Sequence, residues 1–299
     1  MSEPQIIRLA IASDLHAFAA SQNGTSLHPS HLEIGLKQTP PGQHPIQSLL
    51  KLIKEEPLRA DALICPGDLG DRASSQGIAY AWSALGRIAG ELGCADRCFA
   101  TAGNHDMDSR FRGTNHAPDH VLKGLAPQFP CESIPNANMY WARSFFIEDC
   151  GAFRLVNLNS SAYHGYKDDQ AANDESKYGR IDEQALKLLE SELAKSVPKD
   201  VNVLVCHHSP HAYPEFGLGE ADTMRQGQLL LAMLAEANCG GWLVIHGHKH
   251  CPRIAYASGA SSAPIVFSAG SLCAVLSGQL APNVKNQFHI IEIRLWTRI

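Results

Sequence analysis

Apolar residues in this chain fall into short blocks that stop abruptly at polar knots. Ile6 to Ala12, Ala62 to Cys65, Cys98 to Ala102, Val201 to Cys206 and Trp242 to Ile245 are too short for helices and are bounded by turn residues. Each reads as a buried strand. Between them the spacing changes to the helical period. After Pro45, residues Ile46, Leu49, Leu50 and Ile53 fall at i, i+3, i+4 and i+7, and Pro57 closes the helix. Ile78, Trp82, Leu85, Ile88 and Leu92 share one face, ended by Gly93. Asp182 predicts a cap for a helix carrying Leu186, Leu189 and Leu193, and Thr223-x-x-Gln226 reads as a capping box before Leu230, Met233 and Leu234. Tyr140 to Glu148 and Phe153 to Asn159 read as a hairpin about Asp149-Cys150-Gly151-Ala152. Ile254 to Ala257, Pro264 to Ala269 and Phe288 to Trp296 add three strands without helices between them. Such alternation predicts α/β layering.

Three stretches break the pattern: 17–44, 107–138 and 160–180 are long, polar and rich in Pro, Gly and Asn. Within one domain spanning residues 1–299 they are expected as substrate-side insertions. With 44% hydrophobic residues the chain can bury a substantial core, and no apolar run is long enough to cross a membrane. The polar, acidic start, Met1-Ser2-Glu3-Pro4-Gln5, lacks the basic region of a signal peptide, so a cytoplasmic location is expected. Nine cysteines without a Cys-x-x-Cys pair read as buried apolar residues in a reducing compartment. A net charge of −5 argues against charge-driven, sequence-blind binding to duplex nucleic acid.

The 15 histidines change the picture most. Five successive strands end in metal-competent residues: Asp14 and His16, Asp68, Asn104, His207, and His248 with His250. In open α/β sheets ligands gather beyond the carboxyl ends of the strands. In extended chain, residues i and i+2 point the same way, so Asp14 can share an ion with His16 and His248 with His250, with Gly247 permitting the turn. Carboxylates, imidazoles and one amide suit borderline divalent ions, and seven ligands are about right for two ions sharing a carboxylate. Two ions roughly 3.5–4 Å apart form a clamp for in-line displacement at phosphorus.

Asp14-x-His16, Gly67-Asp68-x-x-Asp71-Arg72, Gly103-Asn104-His105-Asp106, His207 and Gly247-His248-x-His250, in this order over residues 14 to 250, resemble the calcineurin-like metallophosphoesterase superfamily. The resemblance implies a four-layer α/β/β/α sandwich, with two central mixed β-sheets and a dinuclear metal site at the carboxyl ends of the strands. It implies Asp14, His16 and His250 on one metal, Asn104, His207 and His248 on the other, and Asp68 bridging. His105 would face the substrate with Asp71 behind it. The reaction expected is phosphoester hydrolysis, as a phosphodiesterase, by in-line attack of metal-bound hydroxide with His105 as general acid. Mn²⁺ is the first expectation for the two ions, with Fe, Zn or Ni as alternatives. A nuclease of the same superfamily is the second reading and a non-catalytic interaction scaffold the third; scaffolds lose ligands, and here all are present.

His207 is preferred to His208 as the ligand because it leaves the strand first. Arg72, Arg110 and Arg112 are candidates for phosphate contact. His246 is expected to be buried and hydrogen-bonded, whereas His28, His31, His44, His116, His120, His164 and His289 read as solvated. The substrate is expected to be a phosphate ester, either a small nucleotide-like molecule or nucleic acid. A protein partner or a homo-oligomer is also compatible with the chain.

Overall fold

The structure, a computed structural model, describes residues 4–19, 28–35, 41–108, 116–166, 178–213, 223–236, 240–257, 262–276 and 283–296. Arg110 and Arg112 lie outside these residues.

The first sheet takes β1 (Gln5–Ile11), β4 (Ala62–Cys65), β5 (Cys98–Ala100) and β12 (His289–Leu295) in the order β12-β1-β4-β5. Its first three strands are parallel, and β12 returns antiparallel to β1 from Gln5↔Leu295 to Ile11↔His289. The second sheet is formed by β6 (Phe145–Asp149), β7 (Arg154–Leu158), β8 (Val201–Val205), β9 (Gly241–His246), β10 (Arg253–Tyr256) and β11 (Ile265–Ser268), ordered β10-β11-β9-β8-β7-β6. Its four inner strands are parallel and its edges, β6 and β10, antiparallel. A small parallel pair, β2 (Phe18–Ala19) and β3 (Glu33–Ile34), lies within the first long polar stretch.

Pleating explains how the layers stack. Leu155, Val203, Val205 and Ile245 belong to the apolar cluster shared with the first sheet. Their neighbours Val156, Leu204 and Val244 belong to a second cluster with α5 (Glu183–Lys195) and α6 (Gly227–Glu236). The second sheet is therefore covered on both faces, which is why its inner strands are mostly apolar. On the other side α1 (Pro45–Glu55) and α2 (Ser75–Leu92) press Ile46, Ile53, Ile78 and Leu85 onto the first sheet. The result is helix, sheet, sheet, helix, as the resemblance implied.

Capping follows the sequence in most places. Asp182 Oδ1 accepts from the Ala185 amide at 2.8 Å, and Gly93 ends α2 in the left-handed region at φ +83°. Two expectations fail. Tyr140–Arg143 is helical, not strand: Ser133 caps α4 (Ile134–Arg143), which has Pro135 in its first turn, and β6 starts only at Phe145. Proline and two asparagines disguised that helix as loop. The Thr223 capping box does not form either, because α6 begins at Gly227, after Gln226 with φ +62°. Between β5 and α4 lies a short α3 (His120–Lys123).

The two sheets are tied together directly behind the polar knots. The Tyr140 hydroxyl accepts from the Ala102 amide at 2.8 Å and lies 2.9 Å from Thr101 Oγ1, which donates to the Leu158 carbonyl at 2.8 Å. Asn157 and Ser161 bond the carbonyls of Ala100 and Ala102. Removing the hydroxyl with Tyr140→Phe strands the buried Ala102 N–H, a loss of about 1–3 kcal/mol. The expected result is a lower urea midpoint at unchanged m-value. Among the described residues no helix is long and apolar enough to cross a membrane.

Candidate metal centre

Loops leaving β1, β4, β5, β8 and β9 bring all seven sequence-predicted ligands to one end of the sandwich. His16 Nε2 lies 3.0 Å from His250 Nε2 and 3.5 Å from Asp68 Oδ2, and His250 Nε2 is 3.3 Å from Asp14 Oδ1. On the other flank His207 Nε2 is 3.0 Å from Asn104 Oδ1, which is also 3.0 Å from His248 Nδ1. Asp68 stands between the groups, its Oδ2 3.5 Å from His16 and 3.4 Å from His207. Its other oxygen is occupied, accepting the His105 amide at 2.8 Å. One free carboxylate oxygen thus faces both flanks.

Local conformation differs from the extended geometry expected from sequence. Asp14, His16, Asp68, His248 and His250 all have positive φ, between 48° and 70°. Consecutive left-handed turns, not a strand pleat, bring Asp14 beside His16 and His248 beside His250. Gly247 is required for another reason than its φ: a Cβ there would lie 2.5 Å from Ser13 Oγ and 2.7 Å from Asp14 Oδ2. Gly103 is still more confined, since a Cβ would meet Asp68 Oδ1 at 2.0 Å. Asp106, to which the sequence reading gave no role, clamps two of these loops by accepting the Gly70 and Gly103 amides, each at 2.9 Å. Burial and the nearby Asp68 raise its pKa to about 7.

The donor set fits divalent cations. His207 Nδ1 donates to the Pro66 carbonyl at 2.8 Å, so in the neutral ring the Nε2 lone pair is the atom facing the Asp68 and Asn104 oxygens. Lone pairs converging on oxygens at 3.0–3.4 Å repel one another unless a positive charge sits among them. Without an ion a proton plays that part. Burial opposes charge on His207, yet Asp68 lifts its pKa to about 9; burial likewise works against Asp14, but His250 holds it at about 2. Burial opposes charge on His250 and Asp68 as well, yet Asp14 raises His250, and His207 with the neighbouring histidines holds Asp68 well below the usual range. His16, with burial dominant, falls to about 4.

This has a measurable consequence for the metal-free protein. A folded-state pKa of about 9 against 6.5 means that His207 contributes stability fully present below pH 6.5 and lost as pH rises through 9. Melting temperatures of metal-free protein should fall across that window. Cation-loaded protein should show a weaker decline, because metal binding releases the proton and strengthens with pH.

His105 stands beside the cluster, a quarter exposed at its side chain, with Nδ1 2.7 Å from Asp71 Oδ1. Asp71 is held below its ordinary pKa, burial working against the charge and the His105 hydrogen bond for it. Arg72 Nε lies 3.6 Å from Asp71 Oδ2, so this guanidinium is shared with a carboxylate. His246 is buried as expected, held by the Tyr213 hydroxyl at 3.0 Å and Ser209 Oγ at 3.2 Å. His164 corrects the sequence reading: it is fully buried, not solvated, and packs against His208. Ser160 and Ser161, which follow the fully buried β7 after Asn159, are themselves buried and turn this segment inward.

A family model for calcineurin-like phosphoesterases matches residues 7–252. The chain belongs to that family, and is accordingly a metal-dependent phosphoester hydrolase. Among solved structures it is similar to a dimetal phosphatase from Danio rerio, at 15% identity and a TM-score of 0.53 over 89% of this chain and 88% of that one. It also resembles the phosphopantetheinyl hydrolase of Mycobacterium tuberculosis, at 14% identity and a TM-score of 0.41, covering 91% and 96% of the two chains. At 15% identity the likeness to the Danio rerio structure is one of fold alone. A search of curated proteins returned no match.

Proposed function

We propose that this protein is a phosphodiesterase using two divalent cations, with His105 as general acid. The observation that carries the reading is the single free oxygen of Asp68, facing His16 and His207 at 3.5 and 3.4 Å with His105 alongside. Asp14, His16 and His250 would hold one cation, Asn104, His207 and His248 the other, and Asp68 both. When bound, the ions supply Lewis-acid polarisation of the phosphoryl group and acidification of water. The chain's own residues do the rest. Asp71 orients the His105 ring through Nδ1, leaving Nε2 to deliver a proton to the departing alkoxide. Arg72, shared with Asp71, is supported as a contact for a singly charged diester better than for a dianionic monoester.

Mn²⁺ is the preferred ion on ligand chemistry, and the eight cysteines among the described residues, all free and buried, favour a reducing, cytoplasmic setting. The decisive assay reconstitutes metal-free protein with Mn²⁺, Zn²⁺, Ni²⁺ or Mg²⁺. It then compares mono- and bis-nitrophenyl phosphate, cyclic nucleotides, nucleotide sugars and single- and double-stranded DNA. Faster turnover of bis- than mono-nitrophenyl phosphate is expected. Preference for the monoester would overturn the diester assignment, and preference for DNA would favour the nuclease reading.

A further inference from the structure

The second sheet is wider than the first, and four of its strands match the four beneath them. Phe267 of β11 meets His289 of β12 ring to ring at 5.1 Å, and a Cβ at Gly247, just after β9, would touch Ser13, just after β1. His207 after β8 donates to the Pro66 carbonyl after β4, and Asn157 of β7 donates to the Ala100 carbonyl of β5. That leaves β6 and β10 overhanging. Under β6, Pro130 takes the place beside β5, its carbonyl accepting the Ala100 amide at 3.0 Å. Under β10, beyond β12, no strand lies among the described residues.

The backbone groups on this free edge can be assigned. The Ala257 amide bonds the Pro264 carbonyl at 2.9 Å, and amides alternate sides along a strand. Arg253 and Ala255 therefore point at β11, whereas the N–H and C=O of Ile254 and Tyr256 point outward. The same two residues carry exposed apolar side chains, at 67% and 72%. They share the face of their cross-strand partners Phe267 and Ile265, and so overhang the place beyond β12. Natural edge strands are guarded by lysine, proline or a bulge. None of these stands in β10, and its one charge, Arg253, is turned back over the Tyr213 ring of its own chain at 5.1 Å.

Two exposed apolar residues, two apart and both with outward backbone groups, make an edge that is complementary to its own inverted copy. We propose that β10 pairs antiparallel with β10 of a second copy of this chain, about a two-fold axis at Ala255. Ile254 then lies opposite the partner's Tyr256, and the reverse, joining a β-branched residue to an aromatic one twice. Sliding the pair so that Ile254 meets its own copy would set Tyr256 against a Pro252, which has no N–H to give. The other free edge, β12, cannot pair with its copy, because β10 of each protomer would fall on β11 of the other. Through β10 the two first sheets stay three strand spacings apart, about 14 Å, which leaves room for the four large side chains. The proposal does not depend on the hydrolase reading.

Sedimentation of the full 32.4 kDa chain should show a dimer at micromolar concentration. Ile254→Pro removes an outward N–H and an apolar side chain while sparing the bonds to β11, and Tyr256→Lys sets a cation against the partner's Ile254. Each should weaken association roughly tenfold or more, with an unchanged circular dichroism spectrum. Tyr256→Lys decides alone if Ile254→Pro does not fold. Ala255→Cys reports the register, because the two copies of this residue would face each other as a non-hydrogen-bonded pair with Cα atoms about 4.5 Å apart, within reach of a disulfide. Mild oxidation should cross-link that variant as a dimer and leave the parent chain unlinked. A parent chain still monomeric at about 100 µM, association untouched by Tyr256→Lys, or an Ala255→Cys variant that does not cross-link would each overturn the proposal.

Discussion

Replacing His105 with alanine should lower turnover of esters with alkyl leaving groups by about 10²–10⁴-fold, while activated nitrophenyl esters lose far less. The asymmetry follows from position: the ring leans on Asp71 at 2.7 Å through Nδ1, while the side chain stays a quarter exposed beside the ligand cluster. An alkoxide needs a proton, whereas a nitrophenolate departs without it. Cation content should not change, since neither ring nitrogen of His105 is needed to complete the two ligand groups. Measuring kcat/KM across a series of leaving-group pKa values decides the matter. A flat, equal loss across the series would remove His105 from the acid role.

The second large effect is expected at Asp68. Asp68→Asn keeps the shape and still accepts the His105 amide, but removes the charge that faces both histidine flanks. Cation content should fall below that of the parent chain, and kcat/KM should drop by about 10³-fold, the rate equivalent of several kcal/mol of metal-derived stabilisation. The metal-free variant should also lose the raised His207 pKa, because Asp68 is the chief group that raises it. A variant that binds cations normally and stays active would show that the two flanks work without a shared carboxylate.

Much of this centre was legible in the sequence because its design is local. A parallel sheet buried on both faces yields short apolar runs, and a polar residue at the end of such a run has few reasons to be there. That logic singled out Asp14, Asp68, Asn104 and His207, which the fold then brings to one place. It failed where backbone conformation or distant residues decide. The left-handed turns at Asp14 and His250 leave no trace in side-chain pattern, so an extended geometry was the wrong route to a correct proximity. The direction in which His208 points depends on Ser160, 48 residues earlier, and on Gly179. The helix Ile134–Arg143 was hidden because its first turn carries Pro135 and Asn136, residues that equally mark loops.

Five side chains at the cation cluster stand on backbone that L-amino acids avoid, at about 1–3 kcal/mol each. Summed, that penalty rivals the whole margin by which a typical domain stays folded, about 5–15 kcal/mol. Ion binding favours the native chain by mass action and so offsets it. Abundance of the intact protein should therefore track the availability of its ions, making starvation for metal a route to clearance as well as to silence.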